Sequence, residues 1–166
     1  MMSVFKKNNL QSFTLVEVVI VMGILFILFA FSAVSLIGVQ QQTSLNTSLD
    51  TLVSDLKSQQ LKALVGDTEG RDFSSPYGIH FSSNNYVLFH GTSYTPNDTT
   101  NFTIPLTDGV QFTNITLPNS EIIFNSVTGE VNGFTSNQNT LTIQNTASGQ
   151  MKTITMNRYG IILAIQ

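Results

Sequence analysis

Ser12-Phe13-Thr14-Leu15-Val16-Glu17 opens an apolar run that continues to Val39. From Phe13 to Val39 there are 27 residues and one charge, Glu17. As a helix, at ~1.5 Å of rise per residue, the run reaches ~40 Å. That length crosses a hydrocarbon core of ~30 Å with some tilt. No proline interrupts it, because the first proline of the chain is Pro76. Lys6 and Lys7 precede it, and no Lys or Arg follows until Lys57. The positive-inside rule then predicts a single pass, with the N-terminus in the cytoplasm and the rest outside. Gly23 and Gly38 lie in the run but do not form a GxxxG packing motif.

Glu17 is the unusual residue. A carboxylate at the centre of a membrane helix costs about 2.5–3.5 kcal/mol on insertion scales, and less near an interface. An ionisable side chain in such a segment therefore calls for a partner. One candidate is the free α-amino group that a cut between Ser12 and Phe13 would create, four residues from Glu17 or on the same face of a neighbouring helix.

A short basic leader, then Phe-Thr-Leu-Val-Glu at residues 13–17, then about twenty apolar residues, resembles the class III signal of type IV pilins and pseudopilins. The resemblance implies that a membrane prepilin peptidase, which is also a methyltransferase, removes residues 1–12 and N-methylates Phe13. It implies that Glu17 pairs with a neighbouring subunit's N-terminus during assembly. Ser12 stands where the family almost always has glycine before the cut. An ordinary secretory signal cut near Ala33-Val34-Ser35 is the alternative. Glu17 and the helical pattern that continues downstream argue against it.

Past Gln40 the composition turns polar while the helical period persists. Leu45, Leu49, Leu52 and Leu56 are spaced 4, 3 and 4, and Ala63 and Leu64 continue the stripe. Such a stripe marks a one-sided amphipathic helix. Its opposite face is expected to carry Asn46, Ser48, Asp50, Ser54 and Lys57. One helix is predicted from about Phe13 to Val65, ~80 Å long. Residues 13–39 form its transmembrane half and residues 40–65 its amphipathic half, and Gly66 ends it.

Residues 66–75 read as a polar, solvated linker. Asp67, Glu69 and Asp72 lack the spacing of a calcium loop. Residues 76–166 read as short strands separated by polar turns, hence an antiparallel β domain and an α+β, pilin-like fold. The alternation Tyr77, Ile79, Phe81 is followed by a turn at Ser83-Asn84 and by Tyr86, Leu88, His90. Phe102, Ile104 and Leu106 continue it after a loop. Val110 and Phe112 are out of phase with Ile115 and Leu117, which predicts a bulge between them. Further strands are expected at 121–125, 140–144, 151–157 and 161–165. Tyr77-Gly78-Ile79, Phe124 with Gly129, and Arg158-Tyr159-Gly160-Ile161 are similar to the H-type minor pseudopilins of type II secretion and their GspH/FimT-like relatives among minor type IV pilins. That likeness implies a minor, initiating subunit near the tip of a secretion pseudopilus or a pilus.

Composition narrows the chemistry. The chain has no cysteine, so it has no disulfide framework and no thiolate metal site. Removing Lys6 and Lys7 from seven basic residues leaves five against ten acidic ones, a formal charge of −5. An acidic chain with only Lys152 and Arg158 in its last third is not expected to bind nucleic acid. His80 and His90, the only histidines, are expected to face each other across the first hairpin, but two donors do not make a zinc site. No motif for a hydrolase, a metalloprotease or a nucleotide-binding enzyme occurs. No cofactor and no enzymatic activity are expected. The expected partners are the peptidase, other pilin or pseudopilin subunits, and membrane lipid before assembly. The expected site of residence is the bacterial inner membrane, then a pilus or pseudopilus.

Overall fold

Every third or fourth residue from Leu45 to Leu56 is apolar, and that period can bury one side of a helix and no other regular element. In the computed structural model, which describes residues 14–166 without the side chains of 32–37, helix α1 spans Leu15–Val65. The chain divides into two compact units, Met1–Gly38 and Val39–Gln166. In the second unit Leu45, Leu49, Leu52, Leu56 and Ala63 are all buried in one core. Leu64 is exposed, so the stripe ends at Ala63 and not one residue later. The cause is that Leu64 sits a further 100° round the helix, off the buried face.

Gly66 follows the last residue of the helix. Its φ is +67°, a left-handed conformation that glycine adopts without steric cost. The Gly66 N–H donates to the Ala63 carbonyl at 3.2 Å and the Asp67 N–H to the Lys62 carbonyl at 2.9 Å. Together these bonds form a Schellman cap, which satisfies two carbonyls that the helix leaves open.

Eight strands follow in two four-stranded antiparallel sheets. They are β1 (Tyr77–Phe81), β2 (Asn85–His90), β3 (Phe102–Pro105), β4 (Val110–Ile115), β5 (Glu121–Phe124), β6 (Thr140–Asn145), β7 (Met151–Met156) and β8 (Ile162–Ile165). The first sheet has the order β3-β2-β1-β5 and the second β4-β6-β7-β8. The register of β4 on β6 shifts between Phe112 and Asn114, where the apolar phase changes. One continuous core joins the helix stripe to both sheets, with Tyr77, Ile79, Phe81, Phe112, Leu141, Ile143 and Ile154 among its members.

Several turn and strand residues hold the sheets to one another and to α1. Tyr77 is the cross-strand partner of Phe124. A Cβ on Gly78 would lie 2.4 Å from Phe89 Cζ and 2.8 Å from the Ile122 carbonyl oxygen, so β1 packs there only as glycine. Gln60 Nε2 donates to the Gly129 carbonyl at 3.0 Å and to the Tyr159 carbonyl, which draws both turns onto α1.

One expectation about a polar residue is corrected. Ser48 was expected on the solvent face but is 5% exposed, and its hydroxyl donates to Thr107 Oγ1 at 2.9 Å. It lies three residues after Leu45, which places it at the border of the stripe, where the β3–β4 loop covers it. The segment 66–75, none of it buried, carries a hydrogen-bonded network. Lys62 Nζ and Arg71 Nη1 both pair with the Glu69 carboxylate, at 2.7 and 3.2 Å. Arg71 Nη2 donates to the Tyr77 hydroxyl, which in turn donates to the Asp67 carbonyl, both at 2.9 Å. The linker is thus folded back on the end of α1 and the start of β1.

A second tie joins helix and sheet. The Tyr86 hydroxyl donates to Asp55 Oδ2. Burial, and then the Asp55 carboxylate, push the phenol well above its usual range. Tyr86→Phe removes a hydrogen bond to a charged acceptor at a site 1% exposed and is expected to cost about 1.5–3 kcal/mol. The sign of the pH dependence follows from the raised folded value. The contribution is complete below ~pH 10, where the unfolded phenol begins to ionise, and is lost as pH rises further. Denaturant melts from ~pH 8 to ~pH 11 should show a shallower alkaline decline in Tyr86→Phe. Equal slopes in parent and variant would exclude this role for Tyr86.

Candidate functional site: the N-terminal segment

Of the residues expected to carry function, Lys6, Lys7, Ser12 and Phe13 lie outside the described residues. Thr14 and Glu17 are described, and they meet at the start of α1. The Glu17 N–H donates to Thr14 Oγ1 at 3.2 Å, and the Val18 N–H donates to the Thr14 carbonyl at 3.2 Å. Thr14 is therefore the N-cap of α1, satisfying one of the donors that a helix start leaves unpaired. Sequence reasoning missed this role, although Thr-x-x-Glu at 14–17 is the spacing of a capping box. Glu17 sits in the first turn, where the positive end of the helix dipole favours an anion. Its side chain is exposed, open to a partner outside the chain.

The side chains from Leu15 to Phe31 are exposed on every side of the helix. Leu15 is 81% exposed and Phe29 79%. A helix that is apolar all round requires lipid or protein to cover it. Among the described residues no helix is long and apolar enough to cross a membrane. The segment expected to do so, residues 13–39, extends over positions outside the described side chains.

His80 and His90 do not face each other: His80 pairs with Val87, and His90 with Tyr77. Equal offsets from the turn are required for partners in a hairpin, and these two residues do not have them. His80 stacks on Tyr94 with ring centroids 4.1 Å apart and planes 8° apart. Burial pushes its pKa down, against an opposing pull from Glu121 on β5. His90 Nδ1 lies 3.1 Å from Thr100 Oγ1, which donates to Asp98 Oδ1 at 2.7 Å. The backbone and side-chain hydrogen bonds from Thr100 hold the Asp98 carboxyl below its usual range. Among the described residues no three His, Cys, Asp or Glu side chains converge to hold a metal.

Residues 7–33 match the family model described as the prokaryotic N-terminal methylation motif. The matched segment contains Ser12, Phe13, Thr14 and Glu17. No curated protein and no solved structure matches the chain.

Proposed function

We propose that this chain, marked as a type IV pilin- or pseudopilin-type protein by its class III prepilin signal at residues 7–33, is a minor pseudopilin of a type II secretion pseudopilus. The observation that carries the reading is that motif, with Glu17 in the capped first turn of an apolar helix exposed on all sides. In this reading the peptidase cuts between Ser12 and Phe13 and methylates Phe13. The segment 13–39 then stores the subunit in the inner membrane until it packs against other subunits in a filament. The domain built on Leu45 to Ala63 stays on the extracytoplasmic side. The bonds from Gln60 near the end of α1 to the Gly129 and Tyr159 carbonyls, with Tyr77 paired to Phe124 on the sheet, support the H-type assignment.

Two measurements test this. Mass spectrometry of the protein extracted from membranes is expected to find a mature N-terminus at N-methylated Phe13. A start after Ser35, or an uncut Met1, would overturn the processing step. Deletion of the gene in its source cell is expected to abolish release of exported proteins while surface pili persist. Loss of pili, surface attachment or DNA uptake with secretion intact would assign the chain to the alternative, a minor type IV pilin.

A further inference from the structure

Asn132 is the one asparagine of the chain that precedes a glycine. Asn132 and Gly133 are both exposed, in the turn that follows the isolated bridge between Val131 and Phe124. The Asn132 N–H donates to the Ile123 carbonyl at 2.7 Å, which lays the segment along the free edge of β5. The rest of the Asn-Gly unit is unconstrained. Among the described residues, neither the Asn132 side-chain amide nor the Gly133 N–H has a hydrogen-bond partner in the chain. Gly133 has a φ of +61°, and a Cβ built on it would meet nothing within 4 Å, so the space beside it is empty. Three other asparagines of the domain are tied down. Asn139 Nδ2 donates to the Met156 carbonyl at 2.7 Å. Asn145 Oδ1 accepts from the Ala147 and Ser148 N–H groups, and Asn157 Oδ1 from those of Tyr159 and Ile161. Every asparagine other than Asn132 is followed by a residue whose side chain shields the next backbone nitrogen.

We propose that Asn132 is a site of spontaneous deamidation, through a cyclic imide closed by the Gly133 nitrogen. The Gly133 N–H gives up its proton to hydroxide, and the nitrogen attacks Cγ of Asn132. A C–N bond forms, the Cγ–Nδ2 bond breaks, and Nδ2 leaves as ammonia. Water then adds to one of the two ring carbonyls and opens the ring. The net change exchanges –NH2 for –OH and needs no oxidant or reductant. Opening at Cγ leaves an ordinary aspartyl residue. Opening at the main-chain carbonyl leaves an isoaspartyl residue, whose backbone runs through Cβ and Cγ. Glycine favours closure because it has no Cβ to block the approach and its backbone turns freely. Either product adds a carboxylate to the wall of a cavity of about 230 Å³ that Asn132 lines, where Glu121 is otherwise the one charged residue among those described. The isoaspartyl form also lengthens the backbone beside the bond that caps β5. The reaction does not depend on which machine the chain serves, or on its assembling at all.

The test uses the full chain in detergent micelles, incubated at mildly alkaline pH and mapped over time by peptide mass spectrometry. The peptide that contains residue 132 is expected to gain the mass of the –NH2 to –OH exchange and to split into two chromatographic species. Conversion is expected to speed up as pH rises, since the attacking nitrogen must first lose its proton. A synthetic peptide of the sequence Glu130–Thr135 supplies the rate without a fold, and the folded chain is expected to match it. Asn132→Gln keeps an amide but would have to close a larger ring, so it is expected to stay intact over the same period. A folded chain that remains unmodified while the peptide converts would show that the turn shields the nitrogen, and would overturn the proposal. So would faster conversion at another asparagine, or equal conversion at position 132 in Asn132→Gln.

Discussion

Leu52→Ala is expected to destabilise the β domain by about 2–5 kcal/mol, the usual cost of emptying a fully buried leucine site. Leu52 is 0% exposed and sits where the helix stripe meets both sheets. Removing its branched end leaves a space that the surrounding aromatic and β-branched side chains can close only in part. The cost combines the transfer free energy of the missing carbons with the dispersion attraction that the atoms lining the void no longer feel. Leu61 is the internal control: it is on the same helix but 57% exposed, and its alanine variant is expected to stay within ~0.5 kcal/mol of the parent. Denaturant midpoints of the two variants, compared at equal m, decide the matter. An unchanged midpoint for Leu52→Ala would mean that the stripe is covered by another subunit and not by the sheets.

Glu17→Gln is expected to leave membrane insertion and the fold of residues 39–166 intact while sharply lowering incorporation into the filament. The substitution keeps the shape of the side chain and removes its charge. On the proposed mechanism the partner is the methylated amine of Phe13 on an adjacent subunit. Two opposite charges attract far more strongly in a dry filament than in water. Desolvation of both charges cancels much of that gain. The pair therefore acts mainly to set the axial register between helices, the best-supported use of a buried ion pair. Glu17→Val should fail in assembly in the same way while making the membrane-stored form more favourable. Crosslinking of parent and variant to neighbouring subunits measures the effect. Normal incorporation with Gln or Val at position 17 would remove the charge from the mechanism. The Thr14 cap sharpens the experiment, because the Glu17 bond to Thr14 runs through the backbone N–H and survives both substitutions.

Local pattern carried much of this protein. The spacing of Leu45, Leu49, Leu52 and Leu56 determined which face of α1 is buried, because a helix repeats every 3.6 residues wherever it occurs. The phase change after Phe112 located the bulge in β4, because a strand alternates with period 2 and an extra residue reverses it. Gly66 set the end of the helix through a conformation that other residues adopt at a cost. The N-terminal segment was legible for a different reason: its methylation motif is a linear order of residues, recognisable without any fold.

Tertiary structure decided what depends on residues distant in sequence. Ser48 is buried because Thr107, 59 positions away, meets its hydroxyl, and no periodicity in the helix encodes that contact. The linker is ordered because Tyr77 brings its hydroxyl between Arg71 and the Asp67 carbonyl. His80 and His90 diverge because the hairpin register pairs them with Val87 and Tyr77. Gln59 keeps the helical period, so the sequence could have placed it in the stripe. Only the packing around it buries its carbonyl oxygen without a hydrogen-bond partner. Whether a polar group in a helix face is solvated, paired or left open is set by what the rest of the chain packs against it, since hydrogen-bond partners are fixed by position in space and not by spacing along the chain.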